Sequence, residues 1–556
     1  MITRLFLFFA LFLAPVSVSA QGVVSAAEPR AAEAGREILR AGGSASDAAM
    51  AMMLALTVVE PQSSGIGGGG FLVHHDGRNG AMTTLDGRET APAGARSTRF
   101  LTAEGKPMAF SEAFPGGLSV GVPGNVRLMA AAHRRWGKLP WRRLFDPAIR
   151  LADKGFTVSD RLAESIAGVS ALWVDFPEIR RLYSRKDGTP LRPGDHMRNP
   201  ALAKTLRTIA RRGPDAFYTG AIAREISSAV ARARHNPAQL TLADLAAYQA
   251  KDRPPICSQY RRFKVCGMGP PSSGATTVLQ MLGMIERFDL KAMGPRDPRS
   301  WHVIAEAMKL AYADRDKWLG DRDFIAVPAA GLLDPAYLRA RSALISPDRP
   351  LGTYQAGTPP GAPARTAAVS GEVPSTTHFV AVDRDGDVAS MTSTVEGPFG
   401  SQLIAGGFVL NNELTDFTFA PEKEGAPVAN RVQAGKRPLS SMSPTIVYDE
   451  TGKPIFALGS AGGRRIIMHV AKTLIAFMDF GLPAQQAIAL PNLYFSGTST
   501  LVEDGTFLAQ MVPALAKVDG VVTAAALTSK VNAAERTPAG WRGAADPRSD
   551  GVALSE

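Results

Sequence analysis

An α/β fold is predicted by three features of the sequence. An alanine- and methionine-rich helical stretch precedes residue 60, a mainly helical middle runs from residue 125 to 250, and an orderly series of short strands flanked by helices begins at residue 376. The chain has 556 residues, 45% hydrophobic and 20% charged, which is ample material for a large core. Length alone would divide it into roughly three or four domains, but enzymes built on one extended sheet break that arithmetic.

The first twenty residues read as a signal peptide: Arg4 in the charged region, Leu5 to Leu13 as the apolar stretch, Val18-Ser19-Ala20 as the cleavage site. The apolar run is too short to span a bilayer, and no cysteine follows it to carry a lipid. A periplasmic or secreted protein without a membrane anchor is expected. Residues 28–60 then read as two helices. The first, Glu33 to Arg40, is stopped by Gly42-Gly43, and the second starts at Ser46-Asp47. After the loop Gly65-Ile66-Gly67-Gly68-Gly69-Gly70 come a strand at Phe71 to His75, a turn at Asp76-Gly77 and a strand at Ala81 to Leu85. The loop fits GxGxxG formally, but a strand follows it where a dinucleotide site needs a helix. His74 and His75 read as part of a strand with one exposed face.

Helices are expected at Val126 to Trp136, Pro200 to Ala210, Thr276 to Phe288 and Trp301 to Trp318. Cys257 and Cys266 flank what reads as two short strands around a turn. Export favours a disulfide between them, the alternative being two small buried residues. Residues 347–375, rich in Pro, Gly, Ala and Thr, read as a long exposed connection open to cleavage. Strands follow at Thr376 to Val382 and Val388 to Val395 around an Asp385-Gly386 turn, then at Gly407 to Leu410, Thr445 to Tyr448 and Ile455 to Leu458. A helix at Ile466 to Phe480 begins after Gly462-Gly463.

The net charge of +11 is spread along the chain with no basic stripe interleaved with aromatics, so no nucleic acid partner is expected. The eight histidines show no ligand spacing, so no metal and no cofactor is expected.

Thr376 is the centre of the chemical reading. A threonine hydroxyl is a weak nucleophile without an adjacent base, and cleavage before Thr376 would create an α-amino group to serve as that base. Thr392, Ser393 and Thr394 lie on the returning strand of the same hairpin, where a hydroxyl can sit beside Thr376. Gly459-Ser460-Ala461-Gly462-Gly463 leads from a strand into a helix, a place where backbone amides can stabilise an oxyanion. His378, two residues beyond the nucleophile, suits a supporting role in the core better than that of general base.

The sequence resembles the gamma-glutamyltransferase family, of the N-terminal-nucleophile hydrolase superfamily, over nearly the whole mature chain. The matches run in order: Pro61-Gln62 with the glycine loop, Asp86-Gly87-Arg88-Glu89, Pro271-Ser272-Ser273-Gly274, Thr376-Thr377-His378, Asn411-Asn412-Glu413-Leu414-Thr415-Asp416-Phe417, Arg437 to Pro444, and Asp546-Pro547-Arg548-Ser549. The resemblance implies a four-layer αββα sandwich assembled from two fragments of the same chain, residues 21–375 and 376–556. It implies that Thr376 cuts its own preceding bond and then attacks the γ-amide of glutathione or a related gamma-glutamyl compound, with water or an amino acid or peptide as acceptor. Thr394 would hydrogen-bond the nucleophile, and Gly462 and Gly463 would supply the oxyanion amides. Arg88 would pair with the donor α-carboxylate, Ser440 and Ser441 would help hold it, and Glu413 and Asp416 would hold the α-ammonium.

Two departures bear on specificity. Glu396 stands where the well-known transferases carry asparagine, which puts three carboxylates near one arginine. Between Phe417 and Lys436 the chain is short and lacks tyrosine, where several family members place an aromatic lid; a more open pocket is expected. These features favour, as an alternative, an acylase of the same superfamily acting on glutaryl or other amide side chains. From a different class, an unprocessed, non-catalytic binding protein is the further alternative.

Overall fold

The computed structural model describes residues 22–368, 371 and 375–556. The predicted signal peptide and Pro374 lie outside the described residues. Among those described, no helix is long and apolar enough to cross a membrane.

Two antiparallel sheets form the centre. Their strands, in chain order, are β1 (Val23–Ala26), β2 (Gly69–His75), β3 (Met82–Gly87), β4 (Lys251–Arg253), β5 (Ile256–Tyr260), β6 (Phe263–Gly267), β7 (Thr377–Val382), β8 (Val388–Thr394), β9 (Thr445–Tyr448), β10 (Pro454–Gly459), β11 (Asn532–Thr537), β12 (Gly540–Ala545) and β13 (Val552–Ser555). The first sheet has seven strands in the order β13-β1-β7-β8-β2-β3-β4, and the second has six in the order β12-β11-β10-β9-β6-β5. Helices α1 (Pro29–Arg40) and α2 (Ala45–Val59) cover the outer face of the first sheet. Helices α3 (Gly274–Ile285), α4 (Pro298–Trp318) and α5 (Arg465–Met478) cover the second. The result is a four-layer αββα sandwich in which the β7–β8 hairpin lies at the centre of the first sheet, flanked by β1 and β2 from the N-terminal part of the chain.

Strand periodicity explains the layering. In β2, Leu72 joins the core beneath α1 and α2, whereas Phe71 and Val73 join the core between the sheets. Both faces are therefore buried, and β2, β7 and β8 are buried along their full lengths. This corrects the expectation of an exposed face at His74 and His75. Both are buried, and His74 stacks on Trp136 with ring centroids 3.9 Å apart. Burial holds the His74 imidazole neutral, its pKa lowered to about 3.

Helix α2 is buried at every position and starts one residue earlier than expected. Ser44 caps it: the Asp47 N–H donates to Ser44 Oγ at 3.0 Å, and the Asp47 carboxylate accepts from the Ser44 N–H at 3.1 Å. Cys257 and Cys266 stand directly opposite one another on β5 and β6 and form a disulfide. The strand expected at Gly407 to Leu410 shrinks to Phe408–Val409, paired with Ile404–Ala405.

The glycine loop before β2 is a close-packing device. A Cβ at Gly67 would stand 2.0 Å from the Val409 carbonyl oxygen, and one at Gly68 would stand 1.9 Å from that of Thr394. Those contacts are backbone and cannot move aside, so only glycine lets this loop press against the end of β8.

Candidate functional site

The site gathers where β7 begins, β8 ends and β10 passes into α5. Thr376 is buried and lies just outside β7, one residue short of the expected strand, because its φ of +89° is incompatible with the ladder. A β-branched residue in that region is strained by about 1–3 kcal/mol. Its Oγ1 lies 3.0 Å from Thr394 Oγ1. The Glu396 N–H donates to Thr394 Oγ1 at 2.8 Å, which orients that hydroxyl toward Thr376. On the other side of the same peptide bond, the Ser375 carbonyl accepts from the Gly462 N–H at 3.1 Å. Ser375 Oγ donates to the Gln62 carbonyl at 2.8 Å. The bond before Thr376 thus has a hydroxyl beside it and an amide donor already on its carbonyl oxygen.

A small cavity adjoins Thr376 and is lined by Arg88, Thr394, Glu396, Glu413, Asp416, Ser440, Ser441 and Gly463, together with Met442 and Ile466. Each residue named for the site from sequence is among these except Gly462, which reaches the site through Ser375 as described. The free space is about 10 Å³, near the minimum for one water. The open pocket expected from the short 418–435 segment is absent in this uncleaved form. The aromatic side chain of that segment, Phe419, stacks on Phe100.

Arg88 explains the closure. Its guanidinium is buried and pairs with both Glu413 and Asp416, and its Nε and Nη2 donate to the carbonyls of Pro438 at 3.1 Å and Leu439 at 2.9 Å. The two acids predicted to take a ligand ammonium are therefore drawn onto the arginine. Burial opposes the charge on Arg88, but Glu413 and Asp416 outweigh it and hold its pKa above the usual arginine value.

Neighbouring motifs fix this geometry. Asp86 accepts from the Arg88 N–H at 2.9 Å, from Arg253 Nε at 2.9 Å and from Arg437, which locks the end of β3 to the loop carrying Ser440 and Ser441. The Pro271–Gly274 segment cradles that loop. Ser273 donates to the Ser440 carbonyl through its N–H and its hydroxyl, both at 2.7 Å. Asn411 ties the acidic turn to the glycine loop: its Oδ1 accepts from the Glu413 N–H at 3.0 Å and its Nδ2 donates to the Gly67 carbonyl at 2.8 Å.

Three contributors escaped the sequence reading. Arg315, buried on α4, donates from Nη2 to Ser441 Oγ at 2.8 Å and from Nε to Ser273 Oγ at 2.9 Å. Asn412 donates to the Glu396 carboxylate and accepts from the Gly397 N–H at 2.9 Å. Glu89 lies buried beside Arg88. Burial raises its pKa to about 8 against the pull of Arg88, and burial likewise raises Glu413 well above the carboxylate range, with Glu89 and Glu396 adding to the effect. One buried guanidinium cannot balance this many carboxylates, so Glu89 and Glu413 titrate as a pair that retains a proton in the folded chain.

That proton has a consequence for stability. A carboxyl raised on folding contributes fully below its unfolded value, near 4.5, and the contribution is lost as pH rises through about 8. Glu89→Gln, which mimics the protonated acid, should flatten the fall of Tm between about pH 5 and pH 8. Scanning calorimetry checks this; a slope equal to wild type would mean that both acids are ionised in the folded protein.

His378 is buried, and its Nδ1 pairs with Thr392 Oγ1 at 2.8 Å. Among the described residues one group, His302, Glu306 and Asp519, converges closely enough to ligate a cation. The Lys309 ammonium already sits there, 3.1 Å from Glu306 and 3.0 Å from Asp519, so the protein meets that charge itself.

The family described as Gamma-glutamyltranspeptidase matches residues 31–555. The glutathione hydrolase proenzyme of Bacillus subtilis (strain 168) is 38% identical over 508 residues, 88% of this chain and 83% of that protein. The acylase ACY 1 proenzyme of Pseudomonas sp. (strain SE83) is 33% identical over 544 residues, 96% of this chain and 93% of that protein. Among solved structures, a cephalosporin acylase from Bacillus halodurans superposes with a TM-score of 0.85 at 27% identity, covering 99% of each chain.

Proposed function

The chain belongs to the gamma-glutamyltranspeptidase family, and on that premise we propose that it cuts itself before Thr376 and then hydrolyses glutathione and related gamma-glutamyl compounds, with transfer to amino acids or peptides as a second outcome. The observation that carries this reading is the joint placement of the Thr376 hydroxyl beside Thr394 and of the preceding carbonyl on Gly462, next to a cavity whose acids outnumber its single arginine.

In maturation, Thr376 Oγ1 attacks the Ser375 carbonyl carbon while the Gly462 amide takes the developing negative oxygen. The C–N bond breaks in favour of an ester to Thr376, the proton of the hydroxyl passes to the amine, and water hydrolyses the ester. This leaves fragments 21–375 and 376–556, the second beginning with a free α-amine. In turnover that amine accepts the Thr376 hydroxyl proton as Oγ1 attacks the γ-amide of the donor. The leaving amine takes the proton, and water or an acceptor amine cleaves the resulting acyl-threonine ester. Gly462 and Gly463 hold the oxyanion in each step, and Thr394 orients the nucleophile. Arg88, Ser440 and Ser441 receive the donor carboxylate, and Glu413 and Asp416 its ammonium. Export to the periplasm or medium fits the leader-like first twenty residues and the disulfide.

The acylase alternative rests on Glu396 and on the likeness to acylases. Charge balance speaks for the gamma-glutamyl reading. Beside Arg88 lie the carboxyls of Glu89, Glu396, Glu413 and Asp416, so a donor that brings an ammonium is favoured over a glutaryl group that brings only negative charge. Glu396→Asn tests this. Glu396 has a φ of +76°, a conformation asparagine tolerates better than most residues, so the variant should fold. Assayed on a donor panel after processing, wild type should prefer gamma-glutamyl over glutaryl amides, and the variant should narrow that preference by about tenfold, the worth of one modest charge contact. A wild type that favours the glutaryl donor would establish the acylase reading instead.

A further inference from the structure

Lys530 is buried, and no step of the chemistry above uses it. It lies just before β11 and is 4% exposed, a costly place for a long cation unless it is paired. Its ammonium donates to Glu60 Oε1 at 2.7 Å and to Ser63 Oγ at 3.0 Å. Both partners are buried as deeply, and the Ser63 hydroxyl lies 3.3 Å from the same Glu60 oxygen, so the three groups close on one another. The contact is long-ranged. Glu60 caps the C-terminal end of α2, and Lys530 stands 470 residues later, on the other side of the Ser375–Thr376 bond.

The turn from Glu60 to Ser64 reaches that bond from both directions. The N–H groups of Ser63 and Ser64 return to the Glu60 carbonyl at 3.0 and 3.3 Å, which makes the turn compact. The Gln62 carbonyl accepts from Ser375 Oγ at 2.8 Å, on the residue whose carbonyl carbon is to be attacked, and from the Phe399 N–H at 3.2 Å. The Ser63 carbonyl accepts from the Val395 N–H at 3.1 Å, immediately beyond Thr394, whose hydroxyl touches that of Thr376. Displacement of this turn therefore shifts the electrophile and the partner of the nucleophile together. The turn belongs to neither sheet, so no ladder fixes its position, and the side chains of Glu60 and Ser63 carry that task.

We propose that Lys530 is a positioning residue for maturation: its ion pair with Glu60 fixes the 60–64 turn, and through it the Ser375 carbonyl, opposite the Thr376 hydroxyl. This rests on the self-cleavage reading above. It also separates two steps. The Ser375 anchor acts while Ser375 is bonded to Thr376; in turnover the acyl carbon belongs to the donor, and the Gln62 carbonyl does not hold it. Lys530 should thus matter more to cleavage than to donor turnover. Burial lowers the Lys530 pKa to about 8, with Arg161 acting in the same direction and Glu60 and Asp550 against it. Arg161 Nε stands 4.0 Å from Glu60 Oε1, and Glu28 adds its charge near Glu60. The cation that holds Glu60 is present below that pH and is lost above it.

The test uses full-length chains made by cell-free synthesis, whose conversion into two fragments is timed by denaturing electrophoresis. Lys530→Met alone would strand a buried carboxylate, so it is combined with Glu60→Gln, which removes both charges at similar volume and should keep Tm close to wild type. At neutral pH this double variant should cleave about tenfold more slowly, since ångström-scale misplacement of reacting groups costs up to roughly a hundredfold, while its kcat once cleaved stays within about threefold. Above about pH 8 the cleavage gap should narrow, as wild type gives up the same charge. Lys530→Arg keeps a cation at every working pH; it should cleave like wild type near neutrality and outpace it above about pH 8. Cleavage of the double variant at the wild-type rate, equal losses in cleavage and turnover, or a gap that does not change with pH overturns the proposal. A wild type that stays in one piece overturns the self-cleavage reading, and this inference with it.

Discussion

Thr376→Ala should remain a single polypeptide where wild type separates into two, the smaller fragment beginning Thr-Thr-His-Phe, and it should lose on the order of 10⁴ or more in donor turnover, as enzymes do when the nucleophile of a cooperating set is removed. Denaturing electrophoresis and terminal sequencing read the first effect, and a donor assay the second. The geometry makes the expectation specific. The Ser375 carbonyl already receives the Gly462 amide, and the Thr376 hydroxyl already touches Thr394, so the variant keeps the amide donor and loses the attacking hydroxyl, together with one methyl group. Thr376→Ser keeps it and should still cleave. Thr394→Val keeps the nucleophile but removes its partner, and should slow cleavage without abolishing it. Strain adds a thermodynamic handle: at a φ of +89° glycine is at ease and alanine is not, so Thr376→Gly should be about 1 kcal/mol more stable than Thr376→Ala while equally uncleaved. Efficient cleavage of Thr376→Ala at the same bond would remove the nucleophile from the proposal, and a wild type that stays in one piece would return the chain to the binding-protein alternative.

The parts of this architecture written in local sequence were readable. Alternation and the Asp385-Gly386 turn announce the β7–β8 hairpin, and Ser46-Asp47 marks the start of α2 to within one residue of the helix that Ser44 caps. What local sequence could not convey is pairing at long range. Arg88 reads as a free fork because its partners lie more than three hundred residues away; only the fold shows that Glu413 and Asp416 already hold it. His74 reads as half exposed because alternation along β2 is silent about the second layer, which here includes Trp136 stacked on the imidazole. Glu89 passed unremarked beside Arg88, since its significance lies in burial among other acids, and Arg315 passed as one charge on a helix, although it positions Ser441. The start of β7 falls one residue later than local sequence suggests for a similar reason: the positive φ of Thr376, beside Thr394 and next to the Ser375 carbonyl held by Gly462, is not visible in alternation.

Arg88→Lys should still mature into two fragments, because cutting the linker requires no donor carboxylate, yet lose roughly 30- to 5,000-fold in kcat/KM with gamma-glutamyl donors, the equivalent of about 2–5 kcal/mol for truncating one member of a desolvated charge pair. Lysine keeps a cation against Glu413 and Asp416 but cannot serve two acids and two backbone carbonyls at once, as the guanidinium does. Arg88→Ala is the harsher change. It strands buried carboxyls with no cation, which forces them to hold protons; its stability should then be full at acid pH and fall as pH rises above the ordinary glutamate value near 4.5. A thermal scan across pH therefore separates collapse of the site from loss of recognition, and kinetic comparison belongs to Arg88→Lys. The informative pair of donors differs only in the α-carboxylate. Wild type should handle the carboxylate-free donor poorly, and the substitution should reduce its turnover far less than that of the full gamma-glutamyl donor, since only the contacts through Glu413 and Asp416 are disturbed. Equal losses on the two donors would make Arg88 a structural clasp for the acidic turn and nothing more. Carboxylate recognition would then have to come from Ser440 and Ser441, which line the same cavity, Ser440 held through its carbonyl by Ser273 and Ser441 through its hydroxyl by Arg315.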